Sequence, residues 1–383
     1  LKVIGVTGTD GKTTTTQFIA RIIEAAGYRT AVASTINFRL DGKEWVNRSK
    51  FTTLSSFAVQ KFLRLAVSKN CDYVVLETSS HALDQYRVWG VEYAVAVITN
   101  VTREHLDYHK TMEAYRKAKK RLFDQAKVAV VNMDMDDPKE FLQGNHEQKY
   151  TYGIQDPTAQ VLAQQVQLSL KGSIFNVDGQ SFELHIPGAF NIENALAAVS
   201  AGMSQHVPLG IMSQALARVE GVPGRMESIE NTRGIEILID YAVTPHALEN
   251  LYTLVSEMKP NQNSRVIAVF GACGERDRGK RPIMGEIVSS HADQVILTNE
   301  DPYYEDPERI VKEIQAGIHN KTLGADLWVI MDRREALHKA LGMAQSGDVV
   351  VVTGKGSEET MAVKSERIPW NDKQVITELL NEL

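Results

Sequence analysis

"GVTGTDGKTTTTQFIA", residues 5–20, decides how the rest of the chain is read. An apolar strand, KVIGVTG at residues 2–8, ends in a glycine turn, and a helix is expected from about Thr13 to Ala26. Glycines at 8 and 11 let backbone N–H groups crowd a phosphate, and the start of a helix adds the positive end of its dipole. In such a loop Lys12 reaches the outer phosphates of a nucleotide and the Thr13 hydroxyl touches Mg²⁺. Val6 stands where the usual pattern has glycine, so the match is a Gly-Lys-Thr core with an altered start.

Working outward, the same texture continues. YRTAVAST (28–35), CDYVVLETSS (71–80), YAVAVITNVT (93–102) and KVAVVNMD (127–134) read as buried strands with helical segments between them. TMEAYRKAKKRLFDQA (111–126) reads as a helix. Strand–helix alternation argues for a parallel doubly wound sheet. From about residue 149 to 187 the pattern alternates with period two, with turn residues at Lys171-Gly172 and Asp178-Gly179, and an antiparallel β-rich meander is expected. FNIENALAAVSAGMSQ (190–205) returns to helix. At EGVPGRMESI (220–229) glycine and proline cluster and a second α/β series begins, with strands GIEILIDYA, RVIAVFGACG, DQVILTNED, DLWVIMD and DVVVVTGKG. Two domains are expected, 1–222 and 223–383.

Bulk properties narrow the class. The 383 residues are 43% hydrophobic and 23% charged, as in an ordinary globular protein, and the net charge of −6 offers no basic field to nucleic acid or an anionic membrane. The only cysteines, Cys71 and Cys273, suit a reducing cytosol better than a disulfide framework, so a cytoplasmic protein is expected. No run of about 18 apolar residues suggests a membrane span. Small-molecule substrates and a monomer are expected. Residue 1 is Leu rather than Met.

One further position carries chemistry on its own terms. Glu77 closes the apolar run DYVVLE, at the strand end where α/β sheets bind ligands, and a carboxylate there suits a hard cation on ATP phosphates. His105 follows the strand end VITN; from the residues alone it reads as a loop histidine with a structural hydrogen bond, and only the resemblance described below implies a cation ligand. In KAKKR (117–121), Lys117, Lys120 and Arg121 read as a solvated helix face.

The phosphate loop, together with LETSSHALDQYR, TNVTREHLDYH, YRKAKKRLF, GAFNIENALAA, GRME, DYAVTPHALEN, FGACGERDRGKRPIMG, TNEDPYYEDP and TGKGSEE, resembles the Mur ligase family, in particular its tripeptide synthetases, in that family's order and over residues 3–360. The resemblance implies a P-loop ATPase domain followed by a Rossmann-like α/β C-terminal domain. It implies an ATP-dependent amide ligase that works through an acyl phosphate. Gly8, Thr9, Asp10, Gly11, Lys12, Thr13 and Thr14 would hold the phosphates. Asn191 and Asn194 would hold adenine, Arg225 would reach ATP, and Asp240 would bind ribose. Lys12, Glu77, His105 and Lys119 would be catalytic. Mg²⁺ would be held by Thr13, Glu77, His105 and Lys119, the last as a carbamate. Thr52, Thr53, Ser80, His81 and Arg87 would hold a muramoyl-dipeptide-type acceptor, and Arg276, Asp301, Tyr303, Gly354 and Glu358 the incoming amino acid.

Departures from the family pattern also carry expectations. Val243 and His246 replace the usual His and Asp of DYAHTPDAL, and Leu54 replaces a usual proline. Diaminopimelate users carry Asp-Asn-Pro-Arg, whose arginine grips a distal carboxylate. Here the stretch is Glu300-Asp301-Pro302-Tyr303, and the acids at 300, 301 and 358 suit a distal ammonium, so an L-lysine-like amino acid is expected. The family's N-terminal UDP-binding domain would precede residue 1. A two-domain core acting on an acceptor without UDP, as in folylpolyglutamate synthases, is the expectation favoured over a lost domain. A rival, the ATP-binding partner of a glutaminase, carries a four-cysteine zinc insert in its β-rich middle, and residues 149–187 contain no cysteine.

Overall fold

A computed structural model describes all residues except 50, 170, 171, 258 and 262. The chain divides into two compact units: residues 1–102 with 109–220, and residues 103–108 with 221–383.

The first unit is built on a nine-stranded sheet. In spatial order its strands are Lys43–Val46, Asn37–Leu40, Thr30–Ala33, Tyr73–Glu77, Lys2–Thr7, Tyr93–Ile98, Ala126–Asn132, Gln148–Gly153 and Val161–Leu162. From Thr30–Ala33 onward every pairing is parallel. The central strands are β-branched and buried on both faces, as parallel strands covered by helices must be. The sheet also gains an unexpected antiparallel edge hairpin, Asn37–Leu40 with Lys43–Val46, turning at Asp41-Gly42 with both φ positive (54° and 72°). The helix Lys12–Ala25 packs against Ala189–Ser204, which is apolar almost all round and correspondingly buried.

The meander is shorter than expected. Gln148–Gly153 and Val161–Leu162 extend the parallel sheet; only Gln164–Ser169, Gly172–Val177 and Gln180–Leu184 form the antiparallel sheet. Period-two alternation shows a strand but not its neighbour. Tyr152 decides the matter here: its ring is fully buried and its hydroxyl donates to Ile98 O at 2.8 Å. The turn at Asp178-Gly179 forms with φ of 48° and 79°; Lys171, in the other expected turn, lies outside the described residues.

In the second unit a six-stranded sheet runs in the order Glu227–Ser228, Glu236–Asp240, Val349–Thr353, Val266–Phe270, Gln294–Leu297 and Leu327–Val329, parallel except for the first. The parallel strands therefore end on one edge. The segments that leave it carry Tyr241, Cys273–Arg276, Glu300–Tyr303 and Gly354–Glu358. A hairpin, Thr360–Val363 with Glu366–Pro369, and a closing helix, Asp372–Glu382, follow. Arg333, fully buried, is clamped by Asp372 at 2.8 and 2.7 Å and donates to Thr353 O at 2.9 Å and Asn299 O at 3.4 Å. Among the described residues no helix is long and apolar enough to cross a membrane, and Cys71 and Cys273 are free thiols.

Candidate active site

Gly11, just before the opening helix, has φ 79°, and a Cβ there would stand 2.2 Å from Asn194 Oδ1. That oxygen accepts from Thr15 Oγ1 at 3.2 Å. Asn194 Nδ2 donates to Asn191 Oδ1 at 3.1 Å, and Asn191 Nδ2 donates to Pro187 O at 2.7 Å. Both asparagines are buried, so they brace the turn as well as lying beside it. Asn100 Oδ1 accepts from the N–H groups of Thr9 (3.1 Å) and Asp10 (2.9 Å), and Thr99 Oγ1 donates to Asp10 O at 2.6 Å. Lys12 Nζ donates to Thr9 O at 2.7 Å, which lays the ammonium back along the loop. Thr14 is buried in the first helical turn.

Glu77 is 1% exposed and ends its strand against the same turn. Thr13 Oγ1 lies 3.1 and 3.2 Å from its two oxygens, and Thr35 donates to it through N–H and hydroxyl, each at 2.8 Å. Lys119 is no surface lysine: it is 1% exposed, donates to Gly8 O at 2.6 Å and lies 4.3 Å from the centre of the Tyr115 ring. The Tyr115 hydroxyl is 3.1 Å from Thr9 Oγ1. Among the described residues no group of three or more His, Cys, Asp or Glu side chains makes a metal cage. The oxygens of Thr13 and Glu77 nonetheless fit Mg²⁺, which keeps several waters and binds through one or two carboxylates plus substrate phosphates. His105 has φ 57° and lies in segment 103–108, which groups with the second unit.

On the acceptor side, the Thr52 hydroxyl lies 3.2 Å from that of Thr35. Thr53 is buried, donates to Glu77 O and accepts from Ser79 N, each at 2.9 Å, so its hydroxyl fastens two loops together. Ser80 Oγ pairs with His109 Nε2 at 3.0 Å, and the His81 ring lies 5.4 Å from that of His109. Arg87 donates to Thr53 O at 3.2 Å and lies over Phe51 at 5.4 Å.

In the second unit, Asp240 Oδ2 accepts from Met226 N at 2.7 Å, and the Arg225 guanidinium sits 4.5 Å from the Tyr241 ring centre. His246 is exposed on the helix Pro245–Glu257, and Thr244 caps that helix through Ala247 N at 3.0 Å. Where the parallel strands of this sheet end, Glu300 is buried; its Oε1 accepts from Cys273 Sγ at 3.0 Å and, among the described residues, its Oε2 has no hydrogen-bond partner. Burial pushes this carboxyl above its ordinary range, against the pull of Cys273 and Arg333. Gly354, at φ 105°, passes so close that a Cβ would stand 2.3 Å from that same oxygen. Lys355 is fully buried and donates to Asp301 Oδ1 at 2.8 Å, to Thr360 O at 2.8 Å and to Glu358. Asp301 and Glu358, two of the acids on which the lysine expectation rests, thus already face an internal ammonium.

Residues 6–202 match the Mur ligase middle domain, and residues 224–356 match the glutamate ligase domain of Mur ligases. The chain belongs to the Mur ligase family. Over 389 residues it is 38% identical to the UDP-N-acetylmuramoyl-L-alanyl-D-glutamate–2,6-diaminopimelate ligase of Syntrophomonas wolfei, covering 99% of this chain and 78% of that one. Against a UDP-N-acetylmuramyl-tripeptide synthetase of Roseiflexus the identity is 39% over 406 residues, covering 100% and 79%. A solved diaminopimelate ligase structure superposes with a TM-score of 0.67 at 34% identity over 100% of this chain and 78% of that one. The ADP complex of Mycobacterium tuberculosis folylpolyglutamate synthase gives 0.75 over 92% and 87%, at 17% identity, a likeness of fold alone.

As a Mur ligase, the protein is an ATP-dependent acid–amino-acid ligase. The first unit brings together Gly8, Thr9, Asp10, Gly11, Lys12, Thr13, Glu77, Lys119, Asn191 and Asn194; Arg225, Asp240 and His105 belong to the second. Sequence reasoning missed Thr35, Asn100, Tyr115 and Lys355. Thr35 and Asn100 are polar residues just past strand ends in a doubly wound sheet, the same signal that singled out Glu77. Glu358, three residues on, is the local signal for Lys355, while its partner Asp301 sits on another segment.

Proposed function

We propose that this Mur ligase joins the amine of a diamino acid to a carboxyl group of a muramoyl-dipeptide acceptor in peptidoglycan precursor synthesis. The observation that carries this reading is the buried Thr13–Glu77 contact beneath a glycine turn that Asn100, Asn194 and Lys119 hold in shape. The acceptor carboxylate attacks the γ-phosphate of ATP, giving an acyl phosphate and ADP. The amine then attacks the acyl carbon, passes through a tetrahedral intermediate and displaces phosphate. Lys12 offsets charge on the transferred phosphoryl group, and the turn's N–H groups orient it. Thr52, His81 and Arg87 are assigned to the acceptor, and Arg276 to the amino acid's α-carboxylate. Thr13 and Glu77 would hold Mg²⁺, with His105 and a Lys119 carbamate as further ligands; bound there, the ion neutralises phosphate charge. A neutral, desolvated amine is what reacts with CO₂, and the burial of Lys119 supports that assignment. The proposal is tested by phosphate release with ATP, Mg²⁺ and UDP-N-acetylmuramoyl-L-alanyl-D-glutamate, with each diamino acid in turn. Parallel arms use the dipeptide acceptor without its nucleotide, and a folate. Absence of amino-acid-dependent release with every muramoyl acceptor refutes it.

A further inference from the structure

Tyr303 adopts φ 50°, a left-handed conformation that bulky side chains seldom take. Its N–H donates to Ala362 O at 3.2 Å, and its carbonyl accepts from Lys364 N at 2.8 Å. These bonds tie the loop Glu300–Tyr303 to the C-terminal hairpin. The result sets two guanidinium groups against one ring: Arg276 and Arg367 each lie 5.4 Å from its centre. Each donates to a neighbouring carbonyl, Arg276 to Glu275 O at 3.0 Å and Arg367 to Glu366 O at 3.2 Å. Among the described residues neither is ion-paired with a carboxylate.

Two guanidinium groups without a carboxylate partner favour an anion here. Asp301 and Glu358 are answered by Lys355, and Asp107 acts on Arg276 without pairing with it. Glu300 is a further acid at this edge, its carboxyl pushed up by burial. Burial also pushes the Tyr303 phenol up to about 12, so at neutral pH it is a hydrogen-bond donor. Guanidinium groups over an aromatic ring are well suited to grip a carboxylate while their flat faces stay packed. Glu300 Oε2, buried and unpartnered, offers an acceptor to an amine in the same cradle.

We propose that Arg367 is a specificity-determining residue. With Arg276 it forms a two-guanidinium clamp over Tyr303 that takes both carboxylates of the incoming amino acid. The cradle thereby selects a diamino acid with a second carboxylate over one that lacks it. The positive charge absent from position 303 is supplied instead by the hairpin. This inference rests on the ligase reading for its substrate, and its test separates the two.

The full chain, Arg367→Ala and Arg367→Lys are compared in phosphate release with meso-2,6-diaminopimelate and with L-lysine. Arg367→Ala is expected to raise KM for diaminopimelate about 10- to 100-fold, the worth of a charge-assisted contact. KM for L-lysine and for ATP should stay within about twofold, and Arg367→Lys should recover part of the loss. Calorimetric titration of diaminopimelate reads the cradle without turnover. If no acceptor supports ligation, yet Arg367→Ala abolishes binding seen with the full chain, the clamp stands and the ligase reading falls. An equal loss for both amino acids, no change in either, or a full chain that prefers L-lysine overturns the clamp.

Discussion

Gly11→Ala tests how the glycine turn is held. Alanine at φ 79° costs about 1–2 kcal/mol. Its Cβ would lie 2.2 Å from Asn194 Oδ1, so that side chain must swing away. Doing so releases the bonds to Thr15 and Asn191, about 1 kcal/mol each. The expected total is about 3.5 kcal/mol. Asn194→Ala alone loses the same two bonds, about 2 kcal/mol. Because the loss is shared, the double variant should also lose about 3.5 kcal/mol rather than the roughly 5.5 kcal/mol of independent sites, a coupling of about 2 kcal/mol. With two units in the chain, a single global unfolding transition is a poor measure. Hydrogen exchange at the buried amides of the strand Lys2–Thr7 reports on the first unit directly. Losses that add to within about 0.5 kcal/mol would show that Gly11 and Asn194 are energetically separate, and the reasoning would fail.

Three other outcomes are expected. Burial alone would raise the Asp348 carboxyl, but hydrogen bonds from Arg265 and from the Gln345 and Arg265 N–H groups outweigh it and hold it below its usual value. A depressed carboxyl stabilises above the unfolded pKa near 3.8 and loses that contribution as pH falls through the folded value. Asp348→Asn should therefore melt below the parent at neutral pH and converge with it in acid; a constant gap down to strong acid would contradict this. Lys355→Met leaves the buried Asp301 and the half-buried Glu358 without their cation and should cost about 3–5 kcal/mol in urea unfolding of the second unit, largely restored by adding Asp301→Asn and Glu358→Gln. After equilibration with ¹³C-bicarbonate, the parent should show a carbamate carbon by NMR that Lys119→Arg lacks, with phosphate release down about 100-fold in that variant; identical spectra would remove the carbamate.

Much of this architecture is legible in the sequence because buried parallel strands write themselves as β-branched runs. Each of the five strand segments read after residue 230 forms a strand, and the Gly-Lys-Thr turn opens a helix as its spacing requires. Pairing partners are another matter. The segment 148–153 alternates as a meander strand would, yet it docks in parallel beside Ala126–Asn132, where the Tyr152 ring is buried and its hydroxyl reaches Ile98 O, a long-range contact that no local pattern announces. Arg121 looks like part of a solvated face but is half-buried, donating to Asp84 Oδ1 at 3.0 Å. The edge hairpin was readable from Asp41-Gly42 between short β-prone stretches. In the cradle, composition shows the acids, but their neutralisation by Lys355 depends on where the loop at 353–360 returns.

The Arg333–Asp372 clamp makes the end of the chain part of its working apparatus. Arg333 also grips Asn299 and Thr353, the residues immediately before Glu300 and Gly354. Trimming the final dozen residues, a routine step in preparing shortened versions for crystallisation, would strip a sealed guanidinium of its counter-ion and slacken both rails of the proposed amino-acid cradle at once. For the same reason, evolutionary drift at either position has to pass through paired changes. A tag appended after Leu383 leaves the clamp untouched.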